Sequence, residues 1–150
     1  MNGVYGFRVK PRVNNMIGVL SDQDVVHDRI MIEGRPVKKA ILLLFMPTCP
    51  HCQAPKRWME TVDVSPFGVY KLAIDVSRDD RLANRVPDLF GLDPETFTVP
   101  RAYVIQNGRP IKQLKEISQF DPNRDFAVIQ KPQKKQPLRR RMSRRKSRKL

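Results

Sequence analysis

The chain has 150 residues, 40% of them hydrophobic, with 29 Lys or Arg against 15 Asp or Glu and a formal net charge of +14. That length gives one compact core with a short appendage, and two cysteines are too few for a disulfide-stapled secreted scaffold. The strongly apolar run Ile41–Met46 falls well short of the roughly 20 residues that a membrane span requires.

Charge is concentrated at one end. Residues 131–150 hold eleven Lys or Arg and no acid, which leaves only +3 for the other 130 residues. The opening residues Met1-Asn2-Gly3-Val4-Tyr5-Gly6 lack the basic-then-apolar pattern and small-residue cleavage site of a secretory signal, so an intracellular location is expected. The pattern divides the chain into an N-terminal extension (1–15), a domain (16–130) and a basic extended tail (131–150).

Tyr5–Lys10 alternates as a strand does, and Pro11 ends it. Met16–Leu20 reads as a second strand. Ser21, with Asp24 three residues on, caps a short helix expected to run through His27. Arg29–Ile32 fits strand or helix, and Gly34 and Pro36 mark a turn. Ile41–Phe45 is apolar on both faces, as a central strand covered on both sides must be.

Pro50 suits a first helical turn, because its missing N–H would have had no partner there. Ala54, Trp58, Met59 and Val62 then recur at helical spacing, with Pro55 placed to kink the helix. Val69–Val76 is the next strand. Ser77 is expected to cap a following helix, with Asp79 and Asp80 in its first turn and Pro87 limiting its length. Ala102–Ile105 and Ile111–Leu114 should pair antiparallel across the hairpin turn Asn107-Gly108. Asp121-Pro122 then opens a short final helix using Phe126, Val128 and Ile129. Helices interleaved with strands and closed by a hairpin predict an α/β domain, a mixed sheet with helices on both faces.

The chemistry is concentrated at Cys49-Pro50-His51-Cys52, directly after the apolar strand. Cysteines at i and i+3 of a helix start share one face and lie close enough to bridge. The first would sit where unpaired backbone N–H groups and the helix dipole favour an anion. The pair is therefore read as a redox couple with Cys49 as nucleophile and Cys52 as resolving thiol. The plainer alternative is a static staple or two small buried residues. Zinc is not expected, since His27 and His51 do not complete a ligand set at usual spacing. No cofactor is called for. Trp58 reads as core, and Asp75 as the end of a strand or a turn residue.

This order resembles the thioredoxin-like fold over about residues 16–130. The matching features are the apolar strand, the Cys-Pro-His-Cys motif, a strand ending near Asp75, Val99-Pro100 before another strand, and the Asn-Gly hairpin. Leu20-Ser21-Asp22-Gln23-Asp24 also looks like the start of the first helix in such domains. The resemblance implies a cis peptide bond at Pro100, opposite the cysteines, with Val99 backbone groups free to pair with an extended polypeptide. Pro50 and His51 resemble the pair in strongly oxidising disulfide-introducing enzymes. A protonated His51 beside Cys49 stabilises its thiolate and makes the disulfide easier to reduce. The chain departs from the pattern at Thr48, where an aromatic is usual, and at Leu43, where many members carry a buried aspartate. The proline usual five residues after the second cysteine is missing, and Arg101 follows Pro100 where smaller residues are common.

Arg139, Arg140, Arg141, Arg144, Arg145, Lys146, Arg148 and Lys149 form a block that repels itself. Such an arm fits phosphate backbones or an acidic protein groove, without base-specific reading; a solubilising or nuclear-targeting tail is the alternative. Two functions follow from the whole sequence. One is thiol–disulfide exchange on protein cysteines. The other is a structural part of a larger nucleic-acid-containing assembly, such as a large DNA virus capsid, anchored by the tail with little catalysis.

Overall fold

The computed structural model describes residues 16–78 and 81–127. The expected Tyr5–Lys10 strand, Asp79 and Asp80, Val128 and Ile129, and the basic tail lie outside the described residues. In chain order the strands are β1 (Ile17–Val19), β2 (Val25–Val26), β3 (Arg29–Ile32), β4 (Arg35–Pro36), β5 (Lys39–Phe45), β6 (Tyr70–Asp75), β7 (Arg101–Gln106) and β8 (Arg109–Leu114). The α-helices are α1 (Gln53–Thr61) and α2 (Arg81–Phe90).

Five strands form one sheet in the order β1-β6-β5-β7-β8. β5 is central, parallel to β6 and antiparallel to β7. Its continuous apolar run serves two cores, because successive side chains point to opposite faces. Ala40, Leu42 and Leu44 pack with Leu72, Ile74 and the α2 residues Leu82 and Val86. Ile41 and Leu43 pack on the other face with Met59 of α1, Val64, Val104 and Leu114. Each face thus carries one helix, as the interleaved pattern implied.

Among the described residues Lys71 is the one lysine in the core, only 1% exposed. Its ammonium donates to the carbonyls of Met59 (2.6 Å) and Val62 (2.8 Å) at the end of α1. Those carbonyls have no amide partner within the helix, and a cation there complements the helix dipole.

Five local expectations are corrected. The Ser21–Asp24 capping box does form, but it opens only a three-residue 3-10 turn, Asp22–Asp24. The β-branched pair Val25-Val26 then enters β2, and His27 and Asp28 adopt left-handed conformations as the two-residue turn into β3. Glu33 and Gly34, also left-handed, turn β3 into β4. A three-stranded ribbon therefore occupies the place of the expected first helix. It is held to the main sheet by Gly108, whose amide donates to the Val37 carbonyl and whose carbonyl accepts from the Ile30 amide, both at 2.8 Å.

Pro87 does not end α2, which continues to Phe90. The apolar residues beyond it, Leu89 and Phe90, pack on the same core as Leu82 and Val86, so burial outweighs the cost of the proline. Ser77 is not a helix cap, because its amide and hydroxyl both donate to the Asp75 carboxylate in a tight turn. Finally, no helix runs through Phe126. Ile117–Gln119 forms a 3-10 turn, and Asp121 accepts amide hydrogen bonds from Arg124 and Asp125 in a single further turn. The buried Asp125 carboxylate stops that turn from propagating by drawing in Lys112, Arg124 and the Asp121 amide. Pro55 is the third residue of α1, within the first turn, where an absent N–H leaves no helical bond unmade.

Candidate active site

β5 delivers the chain to the top edge of the sheet, and Met46–Thr48 carries it over into the cysteine turn. The Cys49 amide donates to Met46 O at 3.1 Å. Cys49 itself has extended backbone and caps a 3-10 turn, Pro50–Cys52, with proline in the first helical position; α1 follows directly. Gln53 reaches back with its side-chain amide to the carbonyls of Pro47 and Cys49, 3.4 Å from each. Sequence reasoning passed over this residue, and a glutamine one position after the motif carries no recognisable signal.

Both cysteines are free thiols. Both cysteines are buried, Cys52 at 0% and Cys49 at 9% exposure, so the first is the nearer of the two to solvent. Across from it, the Val99–Pro100 peptide bond is cis. The Cys49 thiol donates to the Val99 carbonyl, with sulfur and oxygen 3.8 Å apart. The sequence elements named for this site, fifty residues apart along the chain, therefore meet at one point. Strand order and this juxtaposition decide the fold. It is thioredoxin-like.

No family model matches the sequence, and no curated protein matches it. Solved structures do. A thioredoxin from Malassezia sympodialis is 18% identical with a TM-score of 0.46, the match covering 75% of this chain and 85% of that one. The long form of thioredoxin f from spinach chloroplast is 13% identical with a TM-score of 0.43, covering 69% of this chain and 77% of that one.

The two-cysteine site has its own electrostatics. Burial pushes the Cys52 thiol up to about 11; its hydrogen bond with Cys49 acts in the same direction, and one with the Met46 backbone opposes them. Leu43 stands where many thioredoxin-like domains carry a buried aspartate, and it is 2% exposed within the α1-side core. Arg101, the residue after Pro100, turns back on its own loop, with Nε donating to the Thr98 carbonyl at 2.8 Å. Thr48 and His51 are exposed.

Beside the sulfur edge is a cavity of about 450 Å³. Leu43, Ala54, Trp58 and Leu114 supply its apolar lining, while His51 and Arg101 lie on it as well. Trp58 is thus both a partner of the α1-side core, as its spacing predicted, and part of a surface that adjoins the motif. Among the described residues no group of three His, Cys, Asp or Glu is placed to hold a metal, and no helix is long and apolar enough to cross a membrane. The cationic candidates Arg139 to Lys149 lie outside the described residues.

Proposed function

We propose that this chain exchanges thiols and disulfides on protein cysteines through Cys49 and Cys52. The observation that supports it best is the meeting of the Cys49 sulfur, at a helix mouth, with the backbone of Val99 beside cis-Pro100. In the reducing direction the Cys49 thiolate attacks a partner disulfide. A bond forms from Cys49 to one substrate sulfur, and the other leaves as a thiolate. Cys52, after losing its proton, attacks Cys49; the new intramolecular disulfide forms and the second substrate thiol departs. Two electrons have then passed from the domain to its partner, and the reverse sequence donates a disulfide. Val99 offers backbone groups to an extended substrate, and Pro50 and His51 shape the turn that presents the sulfur.

The experiment is turnover of a protein disulfide, such as insulin, by the full chain. Cys49→Ser is expected to abolish exchange, and Cys52→Ser to accumulate the mixed disulfide on Cys49. Wild-type activity no greater than that of a free thiol rejects the proposal.

A second reading is favoured by one feature, the deep burial of a resolving thiol whose ionisation is disfavoured. On that reading the domain is a structural component of an intracellular nucleic-acid-containing assembly, viral or otherwise, and the arm does the main work. It predicts that replacing the arm's arginines impairs assembly while Cys49→Ser leaves assembly intact; the reverse result rejects it.

A further inference from the structure

The end of the sheet opposite the dithiol carries its own charged feature. Strands β3 and β4 of the ribbon and the start of β6 border an open cleft of about 850 Å³, with Arg29, Arg35 and Lys38 on it and Tyr70 and Asn107 as neutral polar neighbours. Among the described residues Glu33 is the only acid on it. All three cations are exposed, so their heads stand in solvent with no burial cost to repay on binding. Three cations against one carboxylate, on a domain that is otherwise close to neutral, make a local positive field.

The chain's exit lies at the same pole. Gln106, 6% exposed, clamps Ala127 with two hydrogen bonds, its side-chain amide donating to the Ala127 carbonyl at 3.0 Å and its carbonyl accepting from the Ala127 amide at 2.8 Å. Asn107, the next residue, lines the cleft, and its amide donates to the Lys38 carbonyl. In sequence, the eleven cations of residues 131–150 start four positions after Ala127, which is fixed to the residue preceding Asn107.

From this cluster of exposed cations we infer that the cleft bordered by Arg29, Arg35 and Lys38 binds the phosphate backbone of nucleic acid. Guanidinium groups on a rigid ribbon suit phosphate oxygens, which arginine meets with paired N–H donors. Open shape and the lack of any buried reading element make the contact independent of base sequence. β5 joins the two poles; its seven residues span roughly 20 Å at the rise of an extended strand. Phosphate at one end leaves the Cys49 edge clear at the other.

The test is binding of a fluorescein-labelled 20-base-pair duplex to the full chain, followed by anisotropy across a salt series. Two double variants carry the same change in net charge: Arg35→Glu with Lys38→Glu at the cleft, and Lys56→Glu with Arg57→Glu on α1 at the other pole. The cleft pair is expected to lose at least tenfold in affinity at about 0.1 M salt and to lower the log–log salt slope by about 2, at roughly 0.9 per phosphate contact. The α1 pair should change the slope by less than half as much. Equal losses in both variants, or none in the cleft pair, overturn the inference. So does displacement of the duplex by polyglutamate as readily as by unlabelled duplex at equal charge, which would assign the cleft to an acidic protein. Unchanged Trp58 fluorescence and melting temperature show that each variant is folded.

Discussion

At the scale of single residues, Cys52 sets the pace of the proposed exchange. Its thiol, held up near 11 by burial, has no carboxylate beside it in the position occupied by Leu43. Resolution of a mixed disulfide on Cys49 is therefore expected to quicken about tenfold per pH unit from neutrality toward pH 11, the range in which the Cys52 thiolate fraction rises. Stopped-flow release of a chromogenic thiol from the mixed disulfide measures this, and a flat profile between pH 7 and 9 contradicts it. The same raised value has a stability consequence. The thiol is more readily ionised in the unfolded chain, so its contribution is full below about pH 9 and falls as pH rises toward 11. These features were only partly legible. The motif and Pro100 announce themselves by residue type and spacing, and Leu43 by the apolar run that contains it. Gln53 acts locally, on Pro47 and Cys49, but its residue type announces nothing; the cavity beside Trp58 depends on how α1 lies against β7 and β8, which no local pattern encodes.

Among the elements, the central strand and the Asn107-Gly108 hairpin were readable because one chemistry dominates each: unbroken apolar side chains in the first, two left-handed residues in the second. The ribbon β2–β4 was not. His27-Asp28 makes the same kind of turn without a glycine, and two-residue strands are too short to show a period. The capping box of Ser21 and Asp24 is a true local signal, cut short by Val25-Val26. Gly108 locks the ribbon to the sheet. A Cβ there would come within 3.0 Å of the Ile30 carbonyl oxygen and 3.1 Å of Arg29 Cβ, at a φ of +80°. Gly108→Ala is expected to destabilise the domain by at least about 1 kcal/mol, read from denaturant midpoints. Lys71 plays a comparable part for α1. Lys71→Met leaves the Met59 and Val62 carbonyls without their ammonium donor and should cost about 2 kcal/mol, with faster amide exchange in the last turn of the helix. Unchanged exchange there would assign Lys71 a role other than capping.

For the whole molecule, the helices on both faces and the closing hairpin follow from the alternation of apolar strands with amphipathic stretches, which is why the architecture could be read ahead of its details. The last turn could not, because it depends on a long-range contact. Asp125, with a fully buried carboxylate, joins β8 through Lys112 at 2.6 Å and is also bonded by Arg124 at 3.0 Å. Burial alone would raise that carboxyl, but hydrogen bonds from Arg124, Lys112 and the Asp121 amide outweigh it and hold the group well below the usual range. A depressed acid stabilises the fold above its unfolded value and gives up that contribution as pH falls toward the folded one. Wild-type stability should therefore decline from about pH 4 downward. Asp125→Asn should lose about 2 kcal/mol at neutral pH and show a shallower acid decline. A variant with the same acid slope as wild type would refute this account. The Gln106 clamp on Ala127 has a mechanical corollary. β7 is gripped on one side by β5 and on the other by β8. Tension applied at the carboxyl end meets these two side-chain bonds before it reaches the edge strand β8, so the clamp should yield first and pulling should then unzip the sheet from that margin.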